Sequence, residues 1–260
     1  MDSSLEEFWQ KYISFAQNNN SGGPEYIYRG VSNKTHELIP SIGRNTEENT
    51  RGNISTVERD LLTEFKRLSN PILNSNDTPN TEFDWLFLAQ HYGLPTRLLD
   101  WSTNPLVALY FAVESNDDID AGVYAINHRV TDQYELFDYK TADYTDKHKL
   151  KSASVIAIQP NQSNVIFVRP KYSDNRYVNQ RSVFSCPKNP FKPLELDNLQ
   201  FMELKGHWKP ELRKRLRTMG VSTSYIYPGL DGIAKEVKSF IHDPISSGRR
   251  LVITVEPRLQ

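Results

Sequence analysis

Apolar residues recur at helical spacing at Leu5, Phe8, Trp9, Tyr12 and Phe15, which predicts an amphipathic N-terminal helix ended by the breaker run Asn18 to Pro24. Tyr26 to Arg29 then reads as a short strand stopped at Gly30. Arg44 to Asn53 is polar and predicts a mobile loop. Ser55 with Glu58 makes a capping-box pattern, and Val57, Leu61, Phe65 and Leu68 carry a helical stripe onward. After a second polar loop, Asn74 to Asn80, Phe83 to His91 reads as a helix stopped by Gly93 and Pro95. Asn104 followed by Pro105 is an N-cap and N1 pair for a helix over Leu106 to Glu114. Short β-branched runs at Gly122 to Ile126, Val155 to Ile158, Val165 to Val168 and Leu251 to Val255 predict strands. Pro210 opens a helix with Leu212, Leu216 and Met219 on one face and Gly220 as its stop. Ser224 to Tyr227 reads as a short aromatic strand, and after Pro228-Gly229 a last helix carries Leu230, Ile233, Val237 and Phe240. Tyr134 to Lys151 is charged and aromatic and keeps no clear period.

The strands are short and do not alternate regularly with helices. That pattern predicts an α+β fold, not a doubly wound parallel sheet. There is no internal repeat and no clean linker, so residues 26–260 are expected to form one domain, preceded by a helix and linker over 1–25.

At 260 residues the chain is long enough to bury a proper core. Its 31 basic and 32 acidic residues nearly cancel, so no global charge commits it to nucleic acid or to a membrane. The single cysteine, Cys186, rules out an intramolecular disulfide and suits a reducing compartment. No apolar stretch reaches membrane-spanning length, and the opening MDSSLEEFWQ is acidic where a signal peptide is basic. The expectation is a soluble cytoplasmic protein without membrane contact.

The densest chemistry lies between Asp84 and Ala112, where apolar helices flank Gln90, His91, Thr96, Arg97, Asp100, Trp101, Ser102 and Asn104. Polar groups in so apolar a segment must pair with one another or with a ligand. Several other chemistries find no motif. No glycine-rich phosphate loop of either common pattern is present, nor a Gly-x-Ser-x-Gly elbow. The histidines at 36, 91, 128, 148, 207 and 242 have no paired spacing that suits zinc, so no metal site is expected. Cys186, before a proline, reads as an incidental thiol.

Tyr28-Arg29-Gly30, the run Leu38 to Arg44, and above all AQHYGLPTRLLDWSTNPLVALYFA from Ala89 to Ala112 resemble the FRG domain family, named for a Phe-Arg-Gly-like start. Asn179 to Phe184 and Tyr227 to Asp231 look like its weaker downstream blocks, so the resemblance spans roughly residues 26 to 240. It implies a distant likeness to ADP-ribosyltransferases: a mixed β core of short strands flanked by helices, NAD as co-substrate, and a role as a toxin in toxin-antitoxin or phage-defence modules. A macromolecular acceptor, RNA or protein, and a protein antitoxin are the implied partners. An NAD hydrolase, or a non-catalytic nucleotide- or RNA-binding module, is the alternative.

On that likeness Arg29 matches the early-strand arginine, Ser102-Thr103 the second block, and Gln180 falls near the third. The third block normally holds a glutamate that offsets positive charge on the ribose as nicotinamide leaves. Gln180 is neutral, so Asp100 and Asp231 join it as candidates for that role. Arg29 either clamps the cofactor pyrophosphate, with Tyr28 and Gly30 beside it, or pairs with an acid at a strand end. Glycine after Arg29 would allow a ligand to approach closely. Arg97 and Asp100, read as part of a loop, either contact phosphate and ribose or pair with each other. His91 is a ribose contact or a helix-end cap; Trp101 stacks on a base or packs in the core; Ser102 holds the ribose or bonds its own backbone. The basic run Lys205, Lys209, Arg213, Lys214, Arg215 and Arg217, near Trp208, is either a nucleic-acid surface or a solvated helix face.

Overall fold

The structure is a computed structural model and describes residues 3–20, 26–44, 54–73, 78–79, 81–128, 135–138, 164–170 and 175–239. Its strands are β1 (Tyr26–Val31), β2 (Leu99–Ser102), β3 (Ala121–Asn127), β4 (Glu135–Asp138), β5 (Val165–Arg169), β6 (Ser182–Pro187) and β7 (Gln200–Leu204). They form one sheet in the order β4-β5-β6-β2-β1-β3-β7, antiparallel throughout except for the β4·β5 pair. The fold is therefore α+β.

Two halves of this sheet are unequally joined. In one, β2 pairs with β6 from Leu99↔Ser185 to Ser102↔Ser182, and in the other β1 pairs with β3 along its full length, from Tyr26↔Asn127 to Val31↔Gly122. Between the halves, β1 and β2 share a single register pair, Tyr28↔Ser102. Beyond it the ladder stops, and backbone groups along the opening must find other partners.

Period-two alternation gives each half two distinct faces. Leu99, Trp101, Val183, Val165 and Phe167 share a cluster with Ile27 and Ile126, which Leu38 and Leu194 from loop segments cover. On the opposite face of the β2 half, Phe184, Cys186, Ile166 and Val168 pack with residues of α2 (Ile54–Ser69) and α3 (Glu82–His91). Tyr28, Val123, Ala125 and Leu204 of the β1 half pack with α1 (Ser3–Asn20), α4 (Pro105–Val113) and the helix Lys209–Thr218.

Helix α4 is the central brace. Asn104 caps it by accepting from the Leu106 amide at 2.9 Å, with Pro105 at its first position, and Val107 to Tyr110 with Ala112 and Val113 are buried. It reaches β1 because Gly30 has no side chain: a Cβ there would stand 1.9 Å from the Ala108 carbonyl oxygen and 2.6 Å from the Ala112 nitrogen. The glycine thus serves helix–strand contact, a use different from the ligand approach expected of it. Helix α3 begins with a capping box that sequence inspection missed, Thr81 with Asp84.

The structure corrects several expectations. Helix α1 buries Leu5, Phe8 and Tyr12 in the main cluster, and the Tyr12 hydroxyl donates to the Pro105 carbonyl at 2.6 Å. Leu99–Ser102, read as loop, is a central strand because β6 supplies its ladder. The Glu58 carboxylate is in the core against Arg97. Ser224 to Tyr227 does not form a strand: Thr223–Ile226 is one helical turn, with Ser222 accepting from the Tyr225 amide. The last helix forms over Leu230–Ser239, yet its expected buried stripe at Leu230, Ile233 and Val237 is largely exposed among the described residues. The runs Val155 to Ile158 and Leu251 to Val255 lie outside the described residues, as does most of Tyr134 to Lys151. No described helix is long and apolar enough to cross a membrane.

Gly30→Ala should be among the most damaging single changes, because the clash is with backbone on both sides. Overpacking of this kind costs about 3 kcal/mol or more, and a urea titration should show the loss as a lowered midpoint or as failure to fold.

Candidate functional site

The opening between the two half-sheets is the mouth of a cavity of about 540 Å³, a size suited to a small ligand or cofactor. Its floor is made by Arg29 and Gly30 of β1 with Asp100, Trp101 and Ser102 of β2. The loop after β1 contributes Ser32, Thr35, His36, Glu37, Ile39 and Arg44 on one side. Ala108 and Phe111 of α4 close another side, with Arg176 and Gln180 of the helix Asn175–Gln180, named α5.

Arg29 crosses the seam. Its Nη1 donates to the Asp100 carbonyl at 2.5 Å, a guanidinium hydrogen bond standing where the β1–β2 ladder has ended. Burial lowers the Arg29 pKa and Arg44 lowers it further, while Asp100 and Tyr124 pull it back up. A guanidinium in this setting stays charged at neutral pH. The Asp100 side chain reaches solvent through the mouth but is enclosed by protein around it. That enclosure raises its pKa, against the opposing charges of Arg29, Arg176 and Arg44 and a hydrogen bond from Gln90 Nε2 to Oδ1 at 2.5 Å. Gln90 is itself held by Thr96, whose hydroxyl donates to its Oε1 at 2.5 Å. The cleft therefore sets a carboxylate among three guanidinium groups.

Tyr28, Arg29, Asp100, Trp101, Ser102 and Gln180, separated by more than 150 positions in the sequence, meet at this cavity along with Gly30. Their side chains are not all available to it. Tyr28 is fully buried among α1 and α4, meeting the Phe15 ring edge to face, so it offers the cavity little beyond backbone. The Trp101 ring points into the opposite face and its Nε1 donates to Ser185 Oγ at 2.9 Å. The Ser102 hydroxyl donates to the Gln180 carbonyl at 2.6 Å and accepts from the Asn104 amide at 2.9 Å, the turn-stabilising use weighed against a ribose contact. Gln180 Nε2 donates to the Ile226 carbonyl at 3.0 Å.

His91, Arg97 and Asp231 lie outside the cavity wall. His91 ends α3 with its ring against Tyr92 and Tyr177. Asp231 is exposed in the first turn of the last helix. Arg97 and Glu58, each with only 3% of its side chain exposed, form a buried pair with Nη2 and Oε2 2.6 Å apart. The other Glu58 oxygen accepts the Arg97 backbone amide at 3.0 Å. Neither Asp100 nor a cleft ligand is therefore the partner of Arg97. Cys186 lies beside this pair, and burial pushes its thiol up to about 12, which leaves no thiolate nucleophile at neutral pH.

The basic run is also occupied within the fold. Lys209 is fully buried and Nζ donates to the carbonyls of Ser32, Ser115 and Asn116 at 2.8 to 2.9 Å, tying the end of β1 to the end of α4. Arg213 grips Asp117 with both terminal nitrogens and donates to the Val113 carbonyl. Arg215 meets Glu6 and the Trp9 ring, Arg217 donates to Ser239, and Lys205 pairs with Asp120 and Glu203. Trp208 packs against Phe8. These contacts brace α1 and α4, while Lys214, beside Glu211, stays exposed on the helix face.

Arg176, Glu37, His36 and Arg44 were not singled out as site residues from sequence. Signals existed for two of them: Arg44 ends the family-like run from Leu38, and Arg176 precedes Gln180 by four positions, which places both on one face of α5.

Removing the Arg97 side chain should leave Glu58 charged and buried. Arg97→Ala is expected to lower stability by about 3–5 kcal/mol, read as a fall in the urea midpoint.

Residues 24–121 match the family model described as FRG domain, a span that carries β1, α2, α3, β2 and α4 up to the start of β3. No curated protein and no solved structure matches the chain. The segment that builds the floor and one wall of the cleft is thus the one that matches the FRG domain model.

Proposed function

We propose that the cleft binds NAD across the seam of the sheet and that the chain is an ADP-ribosyltransferase acting on a macromolecule. The observation that carries this reading is Arg29 at the single-pair junction, its guanidinium beside Asp100 on the cavity floor. A guanidinium fork matches the oxygens of a pyrophosphate, and Arg44 and Arg176 add positive charge around it. The likeness to an ADP-ribosyltransferase core, with a splayed sheet and short strands flanked by helices, is part of the same proposal. So are action in the cytoplasm, growth-blocking toxicity and neutralisation by a protein antitoxin, which rest on the family resemblance.

Chemistry in such a site needs little beyond orientation and charge. Ribose held near Asp100 would lose nicotinamide through an oxocarbenium-like state, with the carboxylate offsetting the positive charge that develops. Of the acids and amides considered for that role, Asp100 is the one whose carboxylate faces the cavity; Gln180 is engaged with Ile226 and Asp231 stands outside. Glu37, in the loop after β1, is a second carboxylate at the wall.

Purified protein incubated with adenylate-labelled NAD and total cell lysate tests the activity. Label retained on RNA or protein supports transfer and identifies the acceptor class. Free ADP-ribose alone points to hydrolysis, and NAD left intact by folded protein overturns the enzyme reading. Arg29→Ala should weaken NAD binding at least about tenfold, the scale of one charge-assisted hydrogen bond, while circular dichroism and the melting transition stay cooperative. If the variant unfolds instead, the clamp role is wrong.

The pH dependence has a definite sign. Enclosure raises the Asp100 pKa, so its carboxylate is present only above that raised value. Activity should therefore rise with pH through a midpoint above the ordinary aspartate value of about 3.9. Asp100→Asn should flatten that limb and lower kcat by about a hundredfold. A limb that survives in the Asn variant would assign the titration to another group.

A further inference from the structure

Outside the family-matched segment, one cationic side chain reaches the cleft from α5. Arg176 lines the cavity across from Arg29, and its charge is felt by Asp100 on the floor and by Glu114 behind the wall. The two arginines come from opposite sides of the seam, Arg29 from the β1 half and Arg176 from the helix that feeds β6 of the other half. Asp100 lies between their fields.

The Arg176 guanidinium is oriented by a built support. It lies over the Tyr227 ring, 5.3 Å from its centroid, and Nη1 donates to the His91 carbonyl at 3.4 Å. Tyr227 in turn is fixed from three directions. Its hydroxyl donates to Glu114 Oε2 at 3.0 Å, and its ring meets the cavity-lining Phe111 edge to face with centroids 6.5 Å apart. Gly232 lets the last helix close on it, since a Cβ there would stand 1.6 Å from the Tyr227 carbonyl oxygen. The ring and the His91 carbonyl together hold the guanidinium at the cavity wall, and a planar guanidinium donates along its edge in the geometry that phosphate oxygens accept.

We propose that Arg176 is a second diphosphate-binding residue of the cleft, closing on the phosphates opposite Arg29, and that Tyr227 is its positioning residue. The inference rests on the NAD reading and specifies how the dinucleotide is held: the pyrophosphate lies between one arginine from each side of the seam. The affinity for a diphosphate ligand then depends on the Tyr227 ring, which stands outside the cavity wall and carries the Arg176 guanidinium as well as the Lys235 ammonium, 4.5 Å from its centroid.

Titration of the full chain with ADP-ribose and with adenosine tests this, because the two probes differ in the diphosphate. Wild type should bind ADP-ribose the more tightly. Arg176→Ala should weaken ADP-ribose about tenfold or more and leave adenosine unchanged. Tyr227→Leu should weaken ADP-ribose about three- to tenfold, and Tyr227→Phe, which keeps the ring, should restore most of that loss. Equal losses for both probes would show a general structural role and overturn the proposal, as would an Arg176→Ala variant with wild-type ADP-ribose affinity. A wild-type protein that prefers neither probe would instead bring down the dinucleotide reading itself, and this inference with it.

Discussion

One residue pair, Tyr28 with Ser102, joins the two halves of the sheet, and the candidate site exists because the ladder stops there. A continued ladder would bring β1 and β2 to ordinary strand spacing, under 5 Å apart, and no cavity would fit between them. The opening exposes backbone groups that need partners, and Arg29 meets this need at the Asp100 carbonyl. The same guanidinium thereby serves as a tie across the gap and as the charge at its floor.

What holds the halves at this separation is packing on either side of the seam. Helix α4 presses onto β1 through Gly30, and its C-terminal end is tied to the end of β1 by the buried ammonium of Lys209. On the β2 side, the Glu58–Arg97 pair fixes the approach to the strand: Arg97 presents both its side chain and its backbone amide to one carboxylate. Buried charge of this kind is weak evidence for net stability, but it makes the arrangement specific, because either partner left alone is costly. These contacts place two rigid walls around a polar gap. Binding and catalytic constellations need that kind of support, since their groups must be held in place before a ligand arrives.

The cleft is shared between the family-matched segment and the rest of the chain. Residues 24–121 contain the floor, the loop wall and α4, whereas Arg176 and Gln180 come from α5, well beyond that segment. The family match therefore marks where the cleft is anchored and leaves its far wall to this chain's later elements. Behind that wall Tyr227, hydrogen-bonded to Glu114, carries the Arg176 guanidinium on its ring.

Much of the local structure was legible in the sequence by itself. The Asn104-Pro105 start of α4, the Gly220 stop after the helix at Lys209–Thr218, and the strands at Tyr26, Gly122 and Val165 follow from capping, turn and alternation rules that act over a few residues. The concentration of polar groups between Asp84 and Ala112 likewise marked the region of the cleft, since buried polar groups require partners. Partner choice could not be read this way. Arg97 lies three residues from Asp100 and pairs with Glu58, 39 residues away; Lys209 stands in a basic run and is buried under three carbonyls. Trp101 and Asp100 are neighbours whose side chains leave opposite faces of one strand. Spacing along the chain determined which segments became helix or strand, and tertiary packing decided which charges meet, because a buried charge pairs with whatever the fold brings within a few ångströms.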